Sequence, residues 1–201
     1  MTERRLPQFF NRFLDYCWKR KRTLLRSARR RGYDLKLVPW VPTAGVTGSV
    51  GKTTTCRMVA HILARTGLRV GLTTTQGAYV GREVLRRGDL AGGDWAGRLL
   101  LDPRVQAGVF ELARGGLIQD GMVLSAIDVG AVLNVYDNHV GLDGVGSRED
   151  LALVKSEVVR RAKKLAVLNA DDPLCLRMRE HVTAPRLCLV TGRPDNPAVL
   201  R

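Results

Sequence analysis

The sequence predicts an α/β fold: a mostly parallel sheet with helices on both faces, preceded by a basic amphipathic N-terminal helix. Three observations carry this. Short apolar segments alternate with amphipathic stretches, the pattern of strands buried on both faces and joined by helices. A glycine-rich turn joins the first of these strands to the first of these helices. The chain has 201 residues, 45% of them hydrophobic, enough to core one domain and too few for two domains with linkers.

In order along the chain, residues 9–28 read as one helix. Phe10, Phe13, Leu14, Cys17, Trp18, Leu24, Leu25 and Ala28 recur at helical spacing, with Arg12, Lys19, Arg20, Arg22 and Arg26 on the other faces. Such a helix either lies on a membrane surface or polyanion, or packs its apolar stripe on the domain. Pro39 and Pro42 bracket a linker around Trp40, so residues 1–42 form a basic arm and residues 43–201 the domain. Ala44–Thr47 is a short buried strand, and Lys52–Arg65 a helix with Cys56, Val59, Ala60 and Leu63 on one face, closed by Gly67. Leu68–Thr73 is strand-like, and residues 76–90 form a small hairpin around Tyr79–Val84. Gly93–Leu101 is helical and stops at Pro103. Val105–Glu111, Asp128–Tyr136, Leu165–Asn169 and Leu187–Val190 are further strands; Glu149–Ala162 and Pro173–His181 are helices.

Charge and cysteine content narrow the classes. The net charge is +14, and residues 1–40 hold twelve Lys and Arg against Glu3, Asp15 and Asp34. That excess suits an acidic partner: a polyanionic substrate, an anionic lipid surface or nucleic acid. Nucleic acid is disfavoured, because only Phe9, Phe10, Phe13, Tyr16 and Trp18 accompany the charge as stacking groups. Apolar runs such as Leu99–Leu101 fall far short of a membrane span, and no apolar core follows the early charges as in a secretory signal. The four cysteines, at 17, 56, 175 and 188, show no C-x-x-C pair, which fits a reducing cytoplasm better than a disulfide framework or structural zinc.

The strongest local signal is Gly48-Ser49-Val50-Gly51-Lys52-Thr53-Thr54, between a strand and a helix. Glycines let backbone N–H groups face a phosphate with no Cβ in the way, and the helix N-terminus favours negative charge. Lys52 suits the β- and γ-phosphates and the Thr53 hydroxyl suits Mg²⁺. The fold expected is therefore P-loop NTPase-like. The common G-x-x-x-x-G-K-[ST] pattern wants glycine at position 46, where this chain has Val46; what remains is the shorter T-G-x-x-G-K-T.

That form resembles the central ATPase domain of the Mur ligase superfamily, and within it the ligase module of cyanophycin synthetases. Four further elements follow in family order. Glu111-Leu112-Ala113-Arg114-Gly115-Gly116 is similar to E-T-A-R-G-G, and Asn134 with His139-Val140-Gly141 is similar to N-x-x-x-D-H-L-G. Glu149-Asp150-Leu151-Ala152-Leu153-Val154-Lys155 resembles E-D-L-A-x-V-K, and Val167–Pro173 resembles V-L-N-A-D-D-P. The resemblance implies an ATP-dependent ligase joining an amino acid to a carboxylate of a peptide or polymer through an acyl phosphate, with ATP and Mg²⁺ bound. It implies that Thr53 and Glu111 share one Mg²⁺, that His139 serves a second, and that Lys155 is N-carbamylated. Asn138 stands where the family carries aspartate before that histidine. Family ligases continue into a further C-terminal domain, so the resemblance also implies a shortened chain.

Read from residues alone, several of these positions stay open. Glu111 ends an apolar strand and is either a metal ligand or a surface carboxylate paired with Arg114. Lys155 is either the modified group or an ordinary helical lysine. Thr73, Thr74 and Thr75 contact substrate or cap a turn; Asn169, Asp171 and Asp172 cap the next helix; Ser147 caps the helix carrying Lys155, with Asp150 at N3. The rival readings are a P-loop kinase or NTPase, for which Asp128 precedes its strand where a metal-binding aspartate should follow one, and a nucleotide-binding fragment without ligase activity.

Overall fold

A computed structural model of the chain describes residues 39–119, 124–137 and 145–200. The helix expected over 9–28, Asn138 and His139 lie outside the described residues. The strands are β1 (Thr43–Thr47), β2 (Val70–Thr74), β3 (Gly77–Val80), β4 (Glu83–Arg87), β5 (Ala107–Glu111), β6 (Ile127–Val132), β7 (Ala162–Asn169) and β8 (Leu187–Val190). The helices are α1 (Lys52–Arg65), α2 (Gly93–Leu100), α3 (Arg114–Gln119), α4 (Arg148–Arg160) and α5 (Pro173–Arg177), the last running into a 3₁₀ turn at Met178–His181.

All eight strands join one sheet in the order β4-β3-β2-β5-β1-β6-β7-β8. β2, β5, β1, β6, β7 and β8 are parallel; β3 and β4 add an antiparallel hairpin at one edge. β1 is central, with β2 to β5 on one side and β6 to β8 on the other. The direction of winding reverses there, which is where open α/β sheets bind ligands at the carboxyl ends of their strands.

Helices cover both faces, as the continuous apolar strands require. On one face α1 buries Cys56 and Ala60 against Val46, Val70, Leu72 and Val109. On the other, Phe110 packs with Leu99 and Leu100 of α2 and Val158 of α4. Val109 and Phe110 are adjacent, so β5 feeds both cores by simple alternation. A third cluster joins Leu151 and Val159 of α4 to Ala166 and Leu168 of β7 and to Leu174 and Cys175 of α5. Among the described residues no helix is long and apolar enough to cross a membrane.

The structure departs from the sequence expectations in a few places. β6 ends at Val132, four residues early, because Val135 and Tyr136 donate their N–H groups to Asp172 and Ser49 side chains instead of a neighbouring strand. α3 was not expected, since Gly115-Gly116 disfavours helix. It forms where Gly116 meets the chain at Gly92: a Cβ at Gly116 would lie 3.1 Å from the Gly92 Cα. The helix expected to His181 tightens to a 3₁₀ turn after Arg177.

Gly130 sets the distance between α4 and the sheet. A Cβ there would come within 2.5 Å of the Val158 carbonyl oxygen, a backbone atom. Gly130→Ala is expected to destabilise the domain by about 1–3 kcal/mol, the usual range for overpacking. Gly115 has open space around its Cα, so Gly115→Ala is expected to be neutral or mildly stabilising. Urea denaturation midpoints of the two variants check this.

Candidate functional site

The glycine-rich turn after β1 holds its shape through a residue from the other side of the sheet. Asn134, two residues beyond β6, accepts through Oδ1 from the N–H groups of Ser49 (2.8 Å) and Val50 (2.9 Å), and its Nδ2 donates to the Val50 carbonyl at 3.2 Å. Ser49 is buried, and its Oγ accepts from the Tyr136 N–H at 2.9 Å. Gly48 has φ 154° and would bring a Cβ within 3.0 Å of Leu133 Cβ; Gly51 is left-handed, φ 83°. Both glycines are therefore required by backbone conformation, and Gly48 by space as well.

With Ser49 and Val50 committed to Asn134, the inward donors left are those of the α1 N-terminus. Gly51 is its N-cap, no side chain caps it, and its first turn contains no acid. The N–H groups of Lys52, Thr53 and Thr54 thus open a positive helix end. Lys52 folds back so that Nζ donates to the carbonyls of Gly48 (2.9 Å) and Ser49 (3.0 Å). An ammonium held over a nest of amides is a site for an anion of the size of phosphate.

Glu111 ends β5 beside this helix end. Its side chain is buried, which excludes the surface-carboxylate alternative. The Thr53 hydroxyl donates to Glu111 Oε2 at 2.8 Å and lies 3.0 Å from the Thr75 hydroxyl; the Thr75 N–H donates to the same Oε2 at 3.1 Å. The three threonines that close β2, Thr73 and Thr74 within it and Thr75 just after it, divide their work. Thr75 joins this cluster, Thr74 accepts from the Gln76 N–H and so closes a turn, and Thr73 keeps a buried hydroxyl without a partner among the described residues, as does Thr47.

Lys155 sits on the inner face of α4 and is 1% exposed, so it is no ordinary surface lysine. The helix is placed by the expected cap: Ser147 Oγ accepts from the Asp150 N–H at 3.1 Å. Burial first, then the charges of Lys52 and Arg114, push the Lys155 pKa down to about 8, with Cys175 opposing. The Cys56 thiol of α1 is pushed up to about 12 by burial, helped by Glu111 and opposed by Lys52. Lys52 and Arg114 both act on Lys155, so the three share one electropositive region.

Asp172 was expected only as a cap. Its Oδ1 does cap α5, accepting from Leu174 at 2.9 Å, and its Oδ2 also accepts from the Val135 N–H at 2.7 Å. Asn169 donates to the Leu133 carbonyl at 2.9 Å. These two fix the segment that carries Asn134. Neither that second bond nor Asn134's hold on the loop was visible in local sequence, since the partners are 37 and about 85 residues away. Asp128, the residue a kinase-like reading would need, is bonded to Thr43 at 2.9 Å and paired with Lys164 at 2.8 Å at the opposite end of the sheet. It is remote from the loop.

Comparison with known proteins shows the family and the fold. Residues 46–198 match the Mur ligase middle domain. The chain is 44% identical over 161 residues to a cyanophycin synthetase of Crocosphaera subtropica, covering 79% of this chain and 18% of that protein. It therefore spans under a fifth of the length of that curated relative. A pseudomurein peptide ligase type C from Methanothermus fervidus shares 28% identity with a TM-score of 0.52, over 69% of this chain and 25% of that one. A UDP-N-acetylmuramoyl-L-alanyl-D-glutamate–2,6-diaminopimelate ligase shares the fold with a TM-score of 0.64 at 20% identity, over 88% of this chain and 36% of that one. The chain belongs to the Mur ligase family, whose middle domain it carries.

Proposed function

We propose that the chain is the ATP-binding part of an ATP-dependent acid–amino acid ligase of the cyanophycin synthetase kind. The observation that carries the reading is the Lys52–Thr53–Glu111 cluster at an uncapped helix N-terminus, with Lys155 buried behind it. In that reaction class a substrate carboxylate takes the γ-phosphoryl group of ATP and ADP leaves; an amine then attacks the acyl carbon and phosphate departs with the activated oxygen.

Each residue's part follows from its surroundings. The glycine-rich loop and the first N–H groups of α1 bind the phosphates, and Gly48, Ser49, Val50, Gly51 and Thr54 serve by backbone conformation. Lys52 neutralises charge on the oxygens of the transferring group, the main service a protein gives phosphoryl transfer. Thr53 and Glu111 offer a hydroxyl and one carboxylate, hard oxygen donors of the number suited to Mg²⁺ that also takes phosphate oxygens. Bound there, Mg²⁺ would supply positive charge to those phosphate oxygens. His139 is the further metal residue in this reading. The partners are an amino acid and a carboxylate-bearing peptide or polymer.

Lys155 fits carbamylation. The reaction needs a neutral amine, formed when the ammonium releases one proton: its lone pair bonds to the carbon of CO₂, a C=O π pair moves onto oxygen, a second proton leaves the nitrogen, and the former cation becomes a carboxylate-bearing anion. With a pKa of about 8, about one in ten Lys155 side chains is neutral at pH 7, far more than for an exposed lysine. The anion formed would relieve the repulsion from Lys52 and Arg114.

Two measurements test the proposal. Lys52→Ala is expected to weaken MgATP binding by one to two orders of magnitude, about 1.5–3 kcal/mol for a charge-assisted bond, with an unchanged urea midpoint. Calorimetry on the folded variant reads this, and unaltered affinity would reject the phosphate site. In ¹³CO₂-equilibrated buffer the wild type is expected to show a carbamate ¹³C resonance at pH 8 that fades by pH 6, as the amine protonates. Lys155→Met should lack it at both pH values; a wild type without the resonance at pH 8 would leave Lys155 unmodified.

A further inference from the structure

The parallel strands begin at the end of the sheet away from the loop, and that end carries charge the site does not use. Arg65 closes α1 there, Arg160 closes α4, Lys163 and Lys164 open β7, and Arg186 stands just before β8; all are exposed. Four acids at this end are already paired. Asp128 takes Lys164 at 2.8 Å, Glu157 takes Arg160 at 3.0 Å, and Glu83 and Asp102 each take Arg104 at 2.6 Å. Arg65, Lys163 and Arg186 form no ion pair with a described residue. Against these three stands Glu180, exposed on the 3₁₀ turn after α5, so this end keeps a net positive charge.

Basic residues in the last turn of a helix offset its dipole, and Arg65 and Arg160 do so. Lys163 and Arg186 lie on no helix, so that service does not account for them. The basic arm enters at the same end: the Thr43 N–H, at the start of β1, donates to the Asp128 carboxylate that also takes Lys164. Residues 1–40 bring twelve Lys and Arg against Glu3, Asp15 and Asp34. Like charge opposes folding of the arm back over this end, so the two add into one basic surface.

Apolar groups accompany the charge. Trp40, three residues before β1, is 60% exposed. In the sequence of the arm, Phe10, Phe13, Leu14, Trp18, Leu24 and Leu25 recur at helical spacing, apart from its Lys and Arg. A nucleic acid would take up the charge and leave these groups in water. An anionic bilayer takes up both, the cations at its headgroups and the apolar side chains at the acyl boundary.

We propose that the amino end of the sheet, together with residues 1–42, is a surface for anionic lipid that seats the chain on a bilayer with the Lys52–Thr53–Glu111 cluster facing away from it. The seat does not depend on the ligase reading. The test uses the full chain and vesicles of phosphatidylcholine with about 30% phosphatidylglycerol at about 150 mM salt. A basic residue at such a surface is worth about fivefold in affinity. The triple variant Arg65→Gln, Lys163→Gln, Arg186→Gln is therefore expected to bind the vesicles at least tenfold more weakly in sedimentation, with its MgATP Kd within twofold and its urea midpoint unchanged.

Two single-tryptophan chains read the orientation. Trp95 stands in the first turn of α2, which follows a segment tied to the end of β2 by the Leu90 N–H and the Thr74 carbonyl at 3.1 Å. Trp40 is at the other end, a strand's length or about 15 Å away. With brominated phosphatidylglycerol in the vesicles, Trp40 in the chain Trp18→Phe, Trp95→Phe is expected to be quenched, and Trp95 in the chain Trp18→Phe, Trp40→Phe to keep its emission. Quenching of Trp95, or none of Trp40, would overturn the orientation. Undiminished binding by the triple variant, equal binding to pure phosphatidylcholine, or release of the chain from the vesicles by RNA at equal phosphate concentration would overturn the lipid surface.

Discussion

A loop rich in glycine cannot hold itself in one shape, and the site depends on the Asn134 side chain doing so from outside. One amide group ties two loop N–H groups and one loop carbonyl. The contact is partly exposed, so its loss would cost chiefly the fixed shape of the loop: the Val50 N–H would turn to water, while Ser49 keeps its N–H on the Asn134 carbonyl at 3.0 Å. Asn134 is held in turn: the carbonyl before it accepts from Asn169, and the N–H after it donates to Asp172. Three segments separate in sequence, at 48–51, 133–136 and 169–172, thus form one hydrogen-bonded unit at the carboxyl edge of the sheet. Their order along the chain matters less than the parallel strands β1, β6 and β7 that bring their ends level.

The same edge concentrates charge of one sign. Lys52 is compensated by loop carbonyls, and Glu111 is shared between Thr53 and Thr75, so neither needs a bound ion to be satisfied in this state. Lys155 is different: it is buried among apolar residues of α4 and faces two further cations. Its folded-state pKa, about 8, lies below the ordinary 10.5, so the unfolded chain binds the proton more tightly. The resulting penalty on the folded state is full below pH 8 and is relieved as pH rises from 8 toward 10.5. A helix that kept a methionine there would be more stable at neutral pH. The chain thus carries a lysine there at a cost in stability, which under the proposed function would be a cost of the site.

Much of this was legible in the sequence where the signal is local. The loop, α1 with its Gly67 stop, the Ser147 cap and the Asp172 cap rest on residues a few positions apart, and all are present as read. Glu111 was legible as a carboxylate closing an apolar strand. The burial of Lys155 was not: Glu149, Asp150, Glu157 and Arg160 make α4 look solvated, and only the sheet beneath decides which side faces in. α3 was hidden by its glycines, of which Gly116 lets Gly92 approach. The early end of β6 was hidden because side chains from 37 and 87 residues away replace its ladder.

Asp171 completes the contrast with Lys155. Its carboxylate accepts from Thr191 Oγ1 (2.6 Å), the Gly192 N–H (2.7 Å), Asn196 Nδ2 (2.7 Å) and Arg193 Nε (3.0 Å). These bonds, the Thr191 hydroxyl foremost, hold its pKa well below the usual carboxylate range. The segment after β8 is thereby clipped to the end of β7, and Asn196 adds a bond to the Ala170 carbonyl. Because Asp171 is already ionised well below neutrality, the clip does not change with pH across the range in which Lys155 titrates. One edge of the sheet thus carries a charge that is locked and a charge that is adjustable. Lys155 therefore titrates near pH 8 while the Asp171 clip stays ionised.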